Sequence, residues 1–160
     1  MLGEEFTRWF LAAFFTGVAG FYTLSILIKK RKRGVSPVTP GAAGSEHFWN
    51  HRSFVVCRAA IWLACVARVP FPSIDRWLVP IPFLWAGKVM MFGVFLLAAS
   101  FVSIVLIHIF MRQEWHSGID PERPRRLITT GPFALSRNPT FVCIQLAQVG
   151  FFSRCRRCLR

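Results

Sequence analysis

The residues best suited to chemistry lie in one polar stretch, 112–138, between two apolar segments. Residues 130–132 (Thr-Gly-Pro) have the composition of a turn in which backbone can approach a ligand closely. Residues 137–139 (Arg-Asn-Pro) precede an apolar helix, whose first turn tolerates proline because the missing N–H has no partner there. A helix N-terminus beside an arginine favours an anion such as a carboxylate. On these residues alone, a loop whose arginines contact lipid phosphates is the competing interpretation.

The same stretch resembles the signature of the isoprenylcysteine carboxyl methyltransferase and phospholipid N-methyltransferase superfamily, small integral membrane enzymes that use S-adenosylmethionine. The family pattern places a Trp and Gly-Ile-Asp after a long helix, followed by L-V-T-x-G-P-Y-R-Y-x-R-H/N-P-x-Y-x-G. The combination of G-P-F with S-R-N-P at this spacing is fairly specific, and the match covers roughly 30 of the 160 residues. The matching residues are Trp115, Gly118, Ile119, Asp120, Leu127, Ile128, Thr129, Gly131, Pro132, Phe133, Ser136, Arg137, Asn138, Pro139 and Phe141.

The resemblance implies methyl transfer from S-adenosylmethionine to a lipophilic acceptor, a prenylcysteine carboxylate or a lipid, at the membrane. An enzyme of this kind mainly aligns acceptor and methyl group, so positioning carries much of the rate. The family's R-H/N-P loop helps to form the cofactor pocket, which makes Arg137 the expected polar contact. The cofactor-binding residues implied in this chain are Gly131, Pro132, Arg137, Asn138, Pro139 and Phe141. The resemblance assigns no catalytic residue, and no metal is expected.

The chain also departs from the family pattern. Ala134 and Leu135 stand where the family usually has Arg and Tyr, Phe141 replaces a Tyr, and Cys143 replaces a Gly. The family continues for two further apolar segments that carry a Glu and a Phe-Gly-x-x-Tyr-type stretch, which complete the cofactor site. This chain instead ends in R-C-R-R-C-L-R. We therefore expect a truncated or frameshifted member with a half-built cofactor pocket.

The elements that must position these residues are predicted to be membrane helices. The chain is 54% hydrophobic, and a mean hydropathy of +0.45 is too high for an ordinary soluble domain of this size. We predict an all-α helical bundle, a single membrane domain over residues 1–160, with three full transmembrane helices and a partial fourth. The predicted full spans are 6–28, 54–71 and 83–111, and the partial span is 139–152; 29–53 is a basic loop, 112–138 the motif loop and 153–160 a basic tail.

The distribution of positive charge predicts the orientation. A block of five basic residues at 29–33 directly follows the first apolar run, and the positive-inside rule keeps such a block in the cytoplasm. The motif loop 112–138 is also arginine-rich, whereas the predicted outer turn near residue 75 is poor in basic residues. We therefore expect an integral membrane protein, in the inner (plasma) membrane if the source is bacterial, with its N-terminus outside.

Several other functions fit the sequence less well. The net charge of +13 suggests nucleic acid in a soluble protein, but here the basic residues lie between apolar runs, so no nucleic-acid partner is expected. The Cys155–Cys158 pair lacks further zinc ligands. A signal peptide is disfavoured by Glu4 and Glu5, which occupy its positive n-region. A non-enzymatic small membrane protein or a transporter-like protein stays open as the alternative, and membrane lipid is the expected partner in either case.

Overall fold

The computed structural model describes residues 2–77, 87–115, 117 and 128–154. Within these residues the secondary structure is helical, apart from one isolated bridge between Val38 and Ser117. The helices are α1 (Leu2–Arg33), α2 (Glu46–Ala67), α3 (Gly87–Met111), α4 (Pro132–Leu135) and α5 (Pro139–Arg154), with short 3-10 turns at Pro72–Trp77 and Arg112–Glu114. The predicted all-α class is confirmed for this part of the chain.

Two helices in the described part of the chain are long and apolar enough to cross a membrane. These segments are Glu5–Lys32 in α1 and Met91–Met111 in α3, while Pro139–Phe152 in α5 is apolar but shorter. The 22-residue helix α2 is not among them, because its first two turns carry polar side chains. Two of the three predicted full spans, 6–28 and 83–111, are therefore represented by candidate spans. The predicted span 54–71 stays a prediction.

Local signals in the sequence explain where the helices begin and end. Gly34 follows α1 with a φ of 69°, and its N–H donates to the Lys30 carbonyl at 2.9 Å, the left-handed glycine cap that ends many helices. Ser45 begins α2, because its hydroxyl accepts the Phe48 N–H at 3.1 Å. Arg112 takes a left-handed φ of 46° directly after α3.

The described residues fall into two compact units. The first, here the α1–α2 unit, comprises the described residues within Arg8–Pro70 and Arg112–Arg126. The second, the α3–α5 unit, comprises the described residues within Met1–Thr7, Phe71–Met111 and Leu127–Arg160. In the α1–α2 unit, the Trp62 indole N–H of α2 donates to the Thr16 hydroxyl of α1 at 3.0 Å. This bond connects the two helices through two polar groups that lie within apolar segments of the sequence.

The α3–α5 unit is built on close packing between its two long helices. A Cβ added to Gly150 would lie 2.9 Å from the Gly93 carbonyl oxygen and 3.0 Å from the Leu97 nitrogen. Both neighbours are backbone atoms, so a side chain at 150 would push α5 away from α3. The contact face of α3 includes Leu97, which is 1% exposed. A small residue at the crossing thus permits the close approach that is typical of helices packed in lipid.

The observed helices overlap the predicted spans with shifted ends. α1 continues through the basic block 29–33, and α2 begins at Glu46, ahead of the predicted Phe54, because the Ser45 cap starts the helix before the apolar run does. Arg68, directly after the last residue of α2, is 3% exposed. Residues 83–86 of the predicted third span, 118–127 of the motif loop and 155–160 of the tail lie outside the described residues.

Candidate cofactor site at the start of α5

The turn before α4 is shaped by Gly131. Its φ of 61° and ψ of −132° fall where side chains are rarely accommodated. A Cβ at this position would lie 2.7 Å from the Phe110 ring, which itself stacks on Phe133 at a centroid distance of 6.4 Å. The backbone conformation therefore favours glycine here, and a side chain would in addition displace the Phe110 ring. This explains the Gly-Pro-Phe sequence in terms of local structure.

The link from α4 to α5 is fixed by hydrogen bonds to Ser136 and Asn138. The Ser136 N–H donates to the Pro132 carbonyl at 3.3 Å and closes α4. The Asn138 N–H donates to the Ser136 hydroxyl at 3.2 Å, a local turn that serine favours. The Asn138 carbonyl then accepts the N–H groups of Phe141, at 3.0 Å, and Val142, at 3.3 Å. Asn138 thus begins α5, with Pro139 in the first turn as the sequence predicts.

The predicted cofactor-binding residues differ in exposure. Gly131, Arg137 and Asn138 are exposed, and the Phe141 side chain is 61% exposed. Pro132 is half-buried and Pro139 is buried. The four exposed residues are therefore accessible to a ligand. They lie within an 11-residue segment that contains the turn before α4, the turn between α4 and α5, and the start of α5. The guanidinium group of Arg137 and the first turn of α5 are chemically suited to a carboxylate.

Helix α5 holds this segment against α3. Gly150 of α5 lies directly against the backbone of Gly93 and Leu97 in α3. This close crossing fixes where α5 lies along α3, and therefore the position of its N-terminal turn. None of the α3 residues involved belongs to the family-like motif, and sequence reasoning did not identify Phe110 either. Phe110 precedes Gly131 by 21 residues, and no pattern in the sequence connects them.

The remaining motif residues are placed less completely. Trp115 belongs to the α1–α2 unit, where it is 9% exposed, and Ile128 and Thr129 belong to the α3–α5 unit. Gly118, Ile119, Asp120 and Leu127 lie outside the described residues. The structure describes the half of the motif from Gly131 to Phe141 as one continuous segment. The role of the Gly-Ile-Asp half stays a prediction.

The residues that could ligate a metal are dispersed in the described ranges. No group of three or more His, Cys, Asp or Glu side chains comes together there. His47 instead lies with its Nε2 atom 3.3 Å from the Thr39 carbonyl oxygen, which anchors the loop before α2.

Comparison with known proteins adds no family assignment. No protein-family model matches the chain, and neither a curated protein nor a solved structure gives a match. The argument for function therefore depends on the chain's own residues and their geometry.

Proposed function

We propose that this chain is a membrane-embedded, S-adenosylmethionine-dependent methyltransferase by descent, acting on a lipophilic acceptor such as a prenylcysteine carboxylate or a lipid. The observation that carries the proposal is the segment from Gly131 to Phe141. It combines a glycine that cannot be replaced without strain, a serine-stabilised turn and an exposed Arg137 at the start of an apolar helix. This is the arrangement that the resemblance to the methyltransferase superfamily implies.

Membrane insertion is supported by the exposure of the apolar helices. In the two candidate spans, 11% of the apolar window in α1 and 28% of that in α3 are buried. The core helix of a soluble protein would be mostly buried, and a signal sequence can account only for a helix near the N-terminus. Large apolar side chains such as Phe95, 65% exposed, and Ile109, 62% exposed, line α3. Surfaces of this kind are stable in contact with lipid.

The finer topology belongs to the same proposal. We place α2 across the membrane as the second span along the chain, between α1 and α3, with α5 as a partial fourth. The basic block at the end of α1 faces the cytoplasm and the N-terminus faces outside, because basic residues are retained on the inner side. Gly131 to Asn138 then lies at the cytoplasmic interface, where a water-soluble cofactor and a lipid-soluble acceptor can meet.

The residues present fit the chemistry of the cofactor. S-adenosylmethionine, when bound, supplies a methyl group activated by the positive charge of its sulfonium. Arg137 would hold the cofactor's carboxylate through charge-assisted hydrogen bonds. Asn138 and Pro139 hold that arginine at the first turn of α5, whose dipole favours the same anion. The exposed ring of Phe141 offers an aromatic face on the next turn, and the chain's contribution is to bind and orient.

The direct test is calorimetric titration of S-adenosylmethionine into the full chain in lipid nanodiscs. We expect binding by the unmodified protein and a loss of about tenfold or more in affinity for Arg137→Ala, since one charge-assisted contact is worth roughly 1.5–3 kcal/mol. Arg52→Ala is the matched control, because Arg52 is also exposed but lies on α2. Equal affinity in Arg137→Ala and Arg52→Ala would contradict the site, and no binding by the unmodified chain would favour a non-enzymatic membrane protein.

A further inference from the structure

The α1–α2 unit contains a second group of polar side chains that the proposed methyltransferase site does not use. The Arg58 guanidinium of α2 lies over the Tyr22 ring of α1, with its central carbon 4.7 Å from the ring centre. Tyr22 in turn lies 6.3 Å from Trp115, centroid to centroid, and Lys29 Nζ lies 4.5 Å above the Trp115 ring. Two cations and two aromatic rings thus form one connected cluster, here called the cation–aromatic cluster.

The surroundings of Arg58 are apolar and open. Arg58 is exposed, and so are the side chains that flank it on α2, including Val55, 51% exposed, and Ile61, 40% exposed. In the part of the chain that the structure describes, Tyr22 is the partner of Arg58, and no carboxylate forms an ion pair with it. An exposed arginine on an apolar helix surface retains most of its donors for another group, because stacking occupies only one face of the guanidinium plane.

The α1 face of α2 becomes more exposed toward Arg58. Cys65 is 2% exposed, Trp62 is half-buried and bonded to Thr16, and Arg58, one turn earlier, is exposed. The two helices are therefore tied together at Trp62, and the surface is accessible at Arg58. Tyr22 and Lys29 are seven residues apart on α1, two helical turns or about 10 Å along the axis.

We propose that the cation–aromatic cluster binds the phosphate head group of an anionic phospholipid. Arg58 donates to the phosphate oxygens while Tyr22 fixes its guanidinium plane, and the exposed apolar side chains beside it contact the acyl chains. Charge complementarity selects this occupant: Arg58 is exposed and presents the accessible positive charge of the cluster, whereas the Lys29 Nζ is buried against Trp115. An arginine at membrane depth is stable only with an anion or water as partner. Arginine forms bidentate bonds to phosphate, which lysine does not.

This inference rests on the membrane insertion proposed above and is independent of methyl transfer. Failure of S-adenosylmethionine binding leaves it unaffected. Release of the chain from membranes by alkaline carbonate, by contrast, would contradict membrane insertion and therefore the proposed lipid site. The two proposals can therefore fail separately.

The test is native mass spectrometry of the full chain in nanodiscs of mixed phosphatidylcholine and phosphatidylglycerol, with retained lipids identified by mass. We expect the unmodified chain to retain phosphatidylglycerol selectively and Arg58→Gln to retain about tenfold less, the change expected for one lost charge-assisted contact. Arg52→Gln is the matched control, because it removes the same charge from the same helix and the same type of ring contact, here with Phe48 at 5.3 Å. It should retain the lipid as the unmodified chain does.

Three results would overturn the proposal. Equal losses in Arg58→Gln and Arg52→Gln would indicate attraction by overall charge. Displacement of the lipid by added inorganic phosphate would indicate a site for free anions. Where Arg58→Gln does not purify as a folded protein, Tyr22→Leu takes its place, and selective retention unchanged in Tyr22→Leu would show that the stacked arginine does not hold the head group.

Discussion

Gly131 shows how much one residue can determine at the candidate site. Its left-handed φ and its position against the Phe110 ring are separate constraints on the same atom, the missing Cβ. The sequence predicts the first, since Gly before Pro is a turn signal. It does not predict the second, because the ring comes from α3, a separate helix that lies outside the family-like motif. Ser136 is similar: its hydroxyl orders Asn138, although the sequence marked it only as part of the family match.

Gly131→Ala is expected to destabilise the α3–α5 unit by about 1–3 kcal/mol, because it adds left-handed strain and a clash with Phe110. Gly34→Ala is the control for strain alone, since Gly34 has a φ of 69° and nothing within 4 Å of an added Cβ. The measurement is thermal unfolding in detergent. The double variant Gly131→Ala/Phe110→Ala separates the backbone strain from the clash with the ring. If Gly131→Ala lowers stability as much in the Phe110→Ala background as in the unmodified chain, the result would argue against the ring contact.

At the scale of the elements, the contact between α3 and α5 positions the N-terminus of α5. Gly150 permits the backbone of α5 to approach that of α3 closely near one end of the contact. The start of α5 at Asn138 was predictable from Arg-Asn-Pro followed by an apolar run. Which face of α5 would meet α3 was not, because the helix is apolar nearly all round and periodicity cannot select a face.

Gly150→Ala should lower the thermal stability of the chain, at a cost of about 1–3 kcal/mol, because the new methyl group overlaps backbone atoms that cannot rotate away. Gly17→Ala is a matched control in α1, where an added Cβ meets nothing within 4 Å. Melting followed by circular dichroism in detergent compares the two. Equal melting temperatures for both variants would contradict the close crossing of α3 and α5.

At the scale of the whole molecule, two helices of the described part of the chain, α1 and α3, are long and apolar enough to cross a membrane. Their exposed apolar surface supports the membrane insertion proposed above. The candidate spans in α1 and α3 were predictable from composition and run length. The bounds of α2 were less predictable from the sequence, because its apolar run is short and begins only after a polar N-terminal section.

Expressed in cells, the chain is expected to remain in the membrane pellet after alkaline carbonate extraction and to dissolve in mild detergent. Reporter fusions test its orientation. A reporter inserted after Gly34 should be active only on the cytoplasmic side, because the basic block precedes it, and one at the N-terminus only on the opposite side. Recovery of the chain in the carbonate supernatant, or reversed reporter signals, would refute the proposed topology.

The sequence by itself determined which segments are apolar, where helices can begin and which short segment resembles a cofactor site. These properties follow from composition and from local signals, such as a serine cap, a left-handed glycine or a proline in the first turn, that act within a few residues. Only the tertiary structure decided that Phe110 lies under Gly131, that Gly150 meets the backbone of α3 and that Arg58 stacks on Tyr22. Each of these contacts joins distant parts of the chain, and no local pattern encodes which distant side chain will fill a given space.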